Sequence, residues 1–515
     1  MNATLETRSA LHLLLLLALG QAIAGDADPA GVSSSTNLTE LRERIMAHLA
    51  QPRFEAATWG LKVVSLDTGE TLFEHNAHKL FKPASNAKLF TAALALDRLG
   101  PDYRIKTSLY AAAKPRRRGT LEGPLIVYGR GDPGFAGRSH DGDPEQALQP
   151  LVDPLIAAGI RRVSGDLVGD ERFFRGPPFG SGWEWEDLQH PYGAEVSALT
   201  HEDNSVEVTV HPAMRLGARC RITTQPATRY LTFLNRTTAE VADGARQLEL
   251  YRPLGANVVT VAGRLPLGGS PAVETVTVHD PALWFVTQLK EKLARSGITV
   301  AGEPCTRSWL DSGGERLPET EIASVESAPL GELVAEMVRT SRNLQAQLLL
   351  LHVGAVAQNR SGATEVKTTQ QAGLEELGHL LDGIGVPKSE VLLDEGSGLS
   401  QNALVTPNAV AELLRAMDRH RHAESWHRSL PVAGGDGTLS DRMKGTAAEK
   451  NVTAKTGSLR RTRTLSGYVR TGAGERLVFS LMLNNHETES SETADRDIDA
   501  VAVMLAEFRG RRGRE

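Results

Sequence analysis

The chain has 515 residues, 40% of them hydrophobic and 23% charged, which sets it apart from disordered and fibrous classes and leaves room for two to four domains with cores of their own. Its 57 Lys+Arg against 63 Asp+Glu give a formal charge of -6, so it lacks the overall basic field that holds nucleic acid. Its two cysteines, Cys220 and Cys305, either pair or sit apart as small apolar side chains, and with no CxxC partner or close His/Cys/Asp cluster no metal or other cofactor is expected.

In chain order, Arg8 and the free amine precede an apolar run from Leu13 to Leu19 and then Ala22-Ile23-Ala24 before Gly25. That is the pattern of a secretory signal over residues 1–24, cleaved after Ala24. The run is shorter than the roughly 20 residues of a spanning helix. An exported protein, periplasmic or extracytoplasmic, with at most peripheral membrane contact is therefore expected. Leu38 to Leu49 reads as an amphipathic helix, and Trp59 to Asp67 and Thr71 to His75 as strands joined at Asp67-Thr68-Gly69-Glu70. From Ala84, the residues Ala87, Leu89, Ala92, Leu94, Ala95 and Leu99 predict a helix buried nearly all round and stopped by Gly100-Pro101.

Between about 101 and 279 short β-like runs alternate with Gly, Pro and Asp, as at Leu125 to Tyr128, Ser205 to Val210 and Asn257 to Val261. Helices return at Trp284 to Arg295, Leu330 to Met337, Leu344 to Val356 and Ala409 to Met417. Strands follow at Thr453 to Gly457, Ser466 to Val469 and Leu477 to Leu483, then a helix from about Glu492 to Phe508. This order predicts one discontinuous α/β domain, residues 31–100 and 280–515, with helices on an antiparallel sheet. It hosts a largely β insert (101–205 and 263–279) and a smaller nested β domain (206–262). Two basic stretches, Lys114 to Arg118 and Arg509 to Arg514, read as a solvated loop and tail or as contacts for anionic lipid or wall polymers.

Three short motifs carry chemistry. Ser85-Asn86-Ala87-Lys88 places a hydroxyl and an amine at i and i+3 on one face of a helical turn. A serine is a poor nucleophile until a base takes its proton, and a desolvated lysine beside other cations can be neutral enough to do so. Ser341-Arg342-Asn343, before the Leu344 helix, supplies a hydroxyl for proton relay and an amide for a substrate carbonyl. Lys455-Thr456-Gly457-Ser458 lies on a strand: Gly457 admits a close backbone, Lys455 with the Thr456 and Ser458 hydroxyls can anchor a carboxylate, and the Ser85 and Ser458 N–H groups are candidate oxyanion donors. Taken alone, the two serine motifs read more readily as helix caps and the third as a solvated edge lysine before a turn. Together and in this order, S-x-x-K, S-x-N and K-T-G form the set associated with β-lactamases and penicillin-binding proteins.

On these motifs the sequence resembles the low-molecular-mass class C penicillin-binding proteins, the D-alanyl-D-alanine carboxypeptidase/endopeptidase (DacB-like) family. Phe81-Lys82-Pro83-Ala84, Gly131-Asp132-Pro133, Tyr192-Gly193-Ala194 and Gly396-Ser397-Gly398-Leu399-Ser400 carry the likeness further. The resemblance implies a serine β-lactamase-like fold, an acyl-enzyme on Ser85 formed from D-Ala-D-Ala ends or cross-bridges of peptidoglycan, and trapping by β-lactams. Lys88 would be the base, Ser341 and Lys455 the proton relay, and Asn343 the holder of the substrate amide. Thr456, Gly457 and Ser458 would bind the terminal carboxylate, with Asp187 and Tyr192 contacting a diaminopimelate side chain. The chain departs from the family at Glu395, where Asp is usual, and at Gln347, where Glu is usual; neither is expected to touch the chemistry.

Other readings are a catalytically weak envelope binding protein of the same fold, a serine β-lactamase, or a Ser-His-Asp esterase. No G-x-S-x-G elbow supports the esterase, and the long separation of Ser85 from Ser341 is too great for a compact β-lactamase.

Overall fold

The strands Thr58–Ser65 and Thr71–His75 pair antiparallel around the expected turn, where Gly69 takes φ 80°, a conformation glycine adopts without steric cost. In this computed structural model, which describes residues 35–116, 118–311, 317–318, 320–361, 367–487 and 491–510, the C-terminal strands return beside that hairpin. They form a five-stranded antiparallel sheet in the order 453–459, 462–470, 476–484, 58–65, 71–75. The leader expected at 1–24, residues 31–34, Arg117 of the basic loop and residues 511–515 of the tail lie outside the described residues. Among the described residues no helix is long and apolar enough to cross a membrane.

Alternation along these strands sends residues to two helical layers. Val64, Val478 and Met482 face the helices Ala87–Leu99, Leu330–Thr340, Asn343–Ser361 and Pro407–Asp418. Leu61, Val63, Phe479 and Leu481 face Leu38–Leu49 and Ser491–Glu507. In the helix Ala87–Leu99 every residue from Ala87 to Leu96 is buried, as its composition predicts. At about 1.5–3 kcal/mol for each large apolar side chain removed from water, this helix is a main tie between the sheet and its neighbours.

The middle of the chain builds separate β layers. One five-stranded sheet runs 304–307, 167–170, 125–128, 106–111, 320–326, and Pro281–Arg295 packs on it through Phe285, Val286 and Leu289. Strand pairing carries this layer on to Glu326. Two three-stranded sheets, 272–277/205–211/221–225 and 232–240/258–266/247–251, share a further core around Val206, Val208, Val259 and Val261. Cys220 is buried in that core, Cys305 is exposed, and both are free thiols.

Candidate active site

The turn that presents Ser85 is not a plain helix start. Pro83-Ala84-Ser85-Asn86 enters through a 3-10 turn at Ala84–Asn86, and the α-helix begins at Ala87 with no side-chain cap, so Ser85 is not serving as one. Ala84 sits at φ 47°, a left-handed conformation that costs an L-residue roughly 1–2 kcal/mol. Two glycines make room for it. A Cβ on Gly398 would lie 1.9 Å from the Ala84 carbonyl oxygen, and one on Gly457 would lie 2.8 Å from the Pro83 oxygen and 2.1 Å from Thr464 Oγ1. Thr464 Oγ1 donates to that same Pro83 carbonyl at 2.9 Å, pinning the turn to the sheet.

Lys88 is fully buried and its Nζ meets three oxygens: Ser85 Oγ at 2.8 Å, Asn343 Oδ1 at 2.6 Å and the Ser397 carbonyl at 2.7 Å. Burial pushes its pKa down to about 7, opposed by the negative charge of Glu395. The amide oxygen and the carbonyl can only accept, so a neutral Lys88 spends both N–H bonds on them and turns its lone pair to the Ser85 hydroxyl.

Lys455, also fully buried, donates to Ser341 Oγ at 2.9 Å and to the Thr456 carbonyl at 2.8 Å. Its pKa is held well below that of a free lysine by burial, then by the charges of Lys88 and Arg442. Ser341 reaches it from the C-cap of Leu330–Thr340 in a left-handed conformation (φ 61°). Asn343 begins that helix. Its Nδ2 donates to the Tyr192 carbonyl at 2.9 Å, while the amide oxygen faces Lys88. The three motifs thus meet: Asn343 touches the first, and Ser341, two residues before it, touches the third.

Thr456 Oγ1 bonds Thr438 Oγ1 at 2.7 Å, and Ser458 is exposed on the same strand. Of the two residues expected from the insert, Tyr192 lies against the site through its main chain, and its exposed ring stacks on His190 at 5.2 Å. Asp187 is half-buried, and its Oδ2 accepts from the Glu184 N–H at 3.1 Å; burial raises its carboxyl above the ordinary range.

Glu395 and Gln347 stand clear of the reacting atoms, yet both brace the loop beside Lys88. The buried Glu395 carboxylate accepts from Ser397 N at 2.7 Å and Ser397 Oγ at 2.6 Å, and Gln347 Oε1 accepts from Gly396 N at 2.8 Å. They touch no reacting atom, but they shape the loop whose Ser397 carbonyl holds Lys88. The sequence signal was the acid beside Gly-Ser-Gly; its part could not be read without knowing where that loop closes.

The profile of the D-Ala-D-Ala carboxypeptidase 3 (S13) family matches residues 41–505. The chain belongs to that family. It is 35% identical over 523 residues to the D-alanyl-D-alanine carboxypeptidase of Actinomadura sp. (strain R39), covering 99% of this chain and 92% of the relative. It is 25% identical over 465 residues to the D-alanyl-D-alanine carboxypeptidase DacB of Haemophilus influenzae, covering 90% and 92% of the two chains. The crystal structure of penicillin binding protein 4 (dacB) from Haemophilus influenzae superposes with a TM-score of 0.74 at 25% identity, over 92% of this chain and 98% of that one. The S13 assignment makes this chain a class C penicillin-binding protein of DacB-like type, a serine-type D-Ala-D-Ala carboxypeptidase/endopeptidase of mixed α/β fold. The esterase, β-lactamase and binding-only readings are not favoured.

Proposed function

We propose that Ser85 is the nucleophile of this peptidase, deprotonated by neutral Lys88, and that it attacks the penultimate D-Ala carbonyl of peptidoglycan stem peptides. The Ser85 Oγ–C bond forms, the terminal D-Ala or cross-linked amine departs with a proton relayed through Ser341 and Lys455, and water then releases the acyl group. Asn343 holds the substrate amide, and Thr456, Gly457 and Ser458 receive the terminal carboxylate. Asp187 and Tyr192 meet the far end of the stem peptide's third residue. Penicillin binding protein 4 (dacB) from Haemophilus influenzae has been solved complexed with a β-lactam, which agrees with β-lactams being ligands of this chain. The observation that carries the reading is the 2.8 Å contact between a fully buried amine and the Ser85 hydroxyl. Substrates of this kind lie outside the cytoplasm, which agrees with the secretory leader inferred at residues 1–24.

The test is fluorescent penicillin labelling followed by digestion of purified muropeptide monomers and cross-linked dimers. Wild type should label and release D-Ala or monomers, and Ser85→Ala should do neither. A folded wild type that fails to label, or a Ser85→Ala variant that still labels, overturns the assignment.

A further inference from the structure

Arg342 separates Ser341 from Asn343, and its guanidinium is engaged in a ring of charges. Arg342 Nη1 lies 2.7 Å from Asp203 Oδ2 and Arg342 Nε 3.5 Å from Glu336 Oε1. Arg138 closes the ring, with Nη1 2.9 Å from Asp203 Oδ1 and Nε 2.5 Å from the same Glu336 oxygen. All four side chains are about two-thirds or more shielded from water, so the alternating charges are screened less than a surface pair. Glu336 lies on the helix Leu330–Thr340, whose end places Ser341. Arg138 and Asp203 come from distant segments of the middle region.

The segment that offers Asp203 is strained. Glu202, Asp203 and Asn204 take φ 48°, 51° and 54°, three successive left-handed residues where single ones are the rule. Such a turn persists only where its surroundings over-determine it. Here the Glu202 carboxylate accepts from Gly137 N at 2.6 Å, and the fully buried Asn204 donates from Nδ2 to the Glu195 carbonyl at 2.7 Å. Asp203 is therefore held rigidly against Arg342, on the one loop whose other two residues touch the buried lysines.

We infer that the Arg138–Asp203–Arg342–Glu336 ring positions the Ser341–Asn343 loop for acylation. Ser341 is itself left-handed, and freeing Arg342 lets the loop relax toward an ordinary helical entry. Lys88 would then lose the Asn343 oxygen and Lys455 the Ser341 hydroxyl. Asp203 and Arg342 touch no reacting atom; they are positioning residues, and the inference rests on the roles proposed above for Ser341 and Asn343.

Stopped-flow acylation by a fluorescent penicillin tests it on the full chain. Asp203→Asn and Arg342→Gln should each lower the limiting acylation rate about ten-fold, with the dissociation constant of the initial complex unchanged. The double variant should be no slower than the slower single one, because the two act through one contact. Arg342→Lys, which keeps one charge but not the fork, should recover part of the rate and serves if either other variant fails to fold. A folded Asp203→Asn that acylates at the wild-type rate overturns the inference, as do losses that multiply in the double variant or an Arg342→Lys no faster than Arg342→Gln. Ser341→Ala and Asn343→Ala that acylate normally would instead sink the underlying roles.

Discussion

Two amines buried beside one another set the behaviour of the site at the scale of single residues. In the role proposed for it Lys88 is a base only when neutral, so with its pKa near 7 the acylation rate should rise as pH passes through neutrality and level above it. Stopped flow across pH 5.5 to about 9 would show this limb, and a rate falling over that interval would contradict it. The same shift bears on stability. The lysine pKa falls from 10.5 to about 7 on folding, so between those values the unfolded chain binds more protons and stability rises with pH. Below pH 7 the cost of burying Lys88 is fully present; above 10.5 it is gone. Lys88→Met should abolish labelling while gaining stability relative to wild type by about 1–3 kcal/mol more at pH 6 than at pH 9, read from urea unfolding. Spacing and residue type, taken over the three motifs together, singled out Ser85, Lys88, Ser341, Asn343 and Lys455 as candidates, and their side chains lie in one hydrogen-bonded group at Lys88 and another at Lys455. Glu395 was not among them, because a carboxylate that accepts from its own loop looks in sequence like any solvated acid.

At the scale of elements, the strand Thr453–Leu459 and the turn before Ala87 approach so closely that glycine is the residue that fits. Gly457→Ala would drive a methyl into Thr464 and the Pro83 carbonyl, backbone and side chain that have little freedom to move. A stability loss of about 1–3 kcal/mol is expected, with a drop in acylation of ten-fold or more as Ser85 shifts. Calorimetry and penicillin labelling would register both, and an unchanged melting temperature would contradict the account. The sheet hairpin, the buried helix and the final strands were readable because alternation and all-apolar runs depend only on local burial. The helix Thr369–Gly383 was missed although Thr368 and Gln371 form a capping box before it. The helix Gln149–Ala157 was disguised by Pro150 and Pro154 within it.

Over the whole molecule the small β layers reach the segment that carries Asp187 through Arg252 and through Thr277, whose Oγ1 donates to the Leu188 carbonyl at 2.7 Å. Arg252, fully buried, donates from Nη2 to the Leu188 carbonyl at 3.2 Å and to Thr277 Oγ1 at 2.9 Å, while its N–H donates to Gln189 Oε1 at 3.0 Å. Leu188 and Gln189 belong to the segment that carries Asp187 and leads to Tyr192. Arg252→Ala should therefore lower kcat/KM on muropeptides about ten-fold while sparing acylation by a small penicillin. Equal losses on both would show that the brace serves the whole site. The helix Pro281–Arg295 packs on the sheet whose last strand is Thr320–Glu326, although its composition resembles that of the helices on the main sheet.

The two sulfur atoms never meet: Cys220 is enclosed among valines and Cys305 stands open to solvent. No disulfide staples this architecture, so apolar packing and polar contacts hold the layers together, and no thiol oxidation is part of attaining the fold. The accessible sulfur is, in addition, a chemically unique point for attaching a spectroscopic reporter to the native chain.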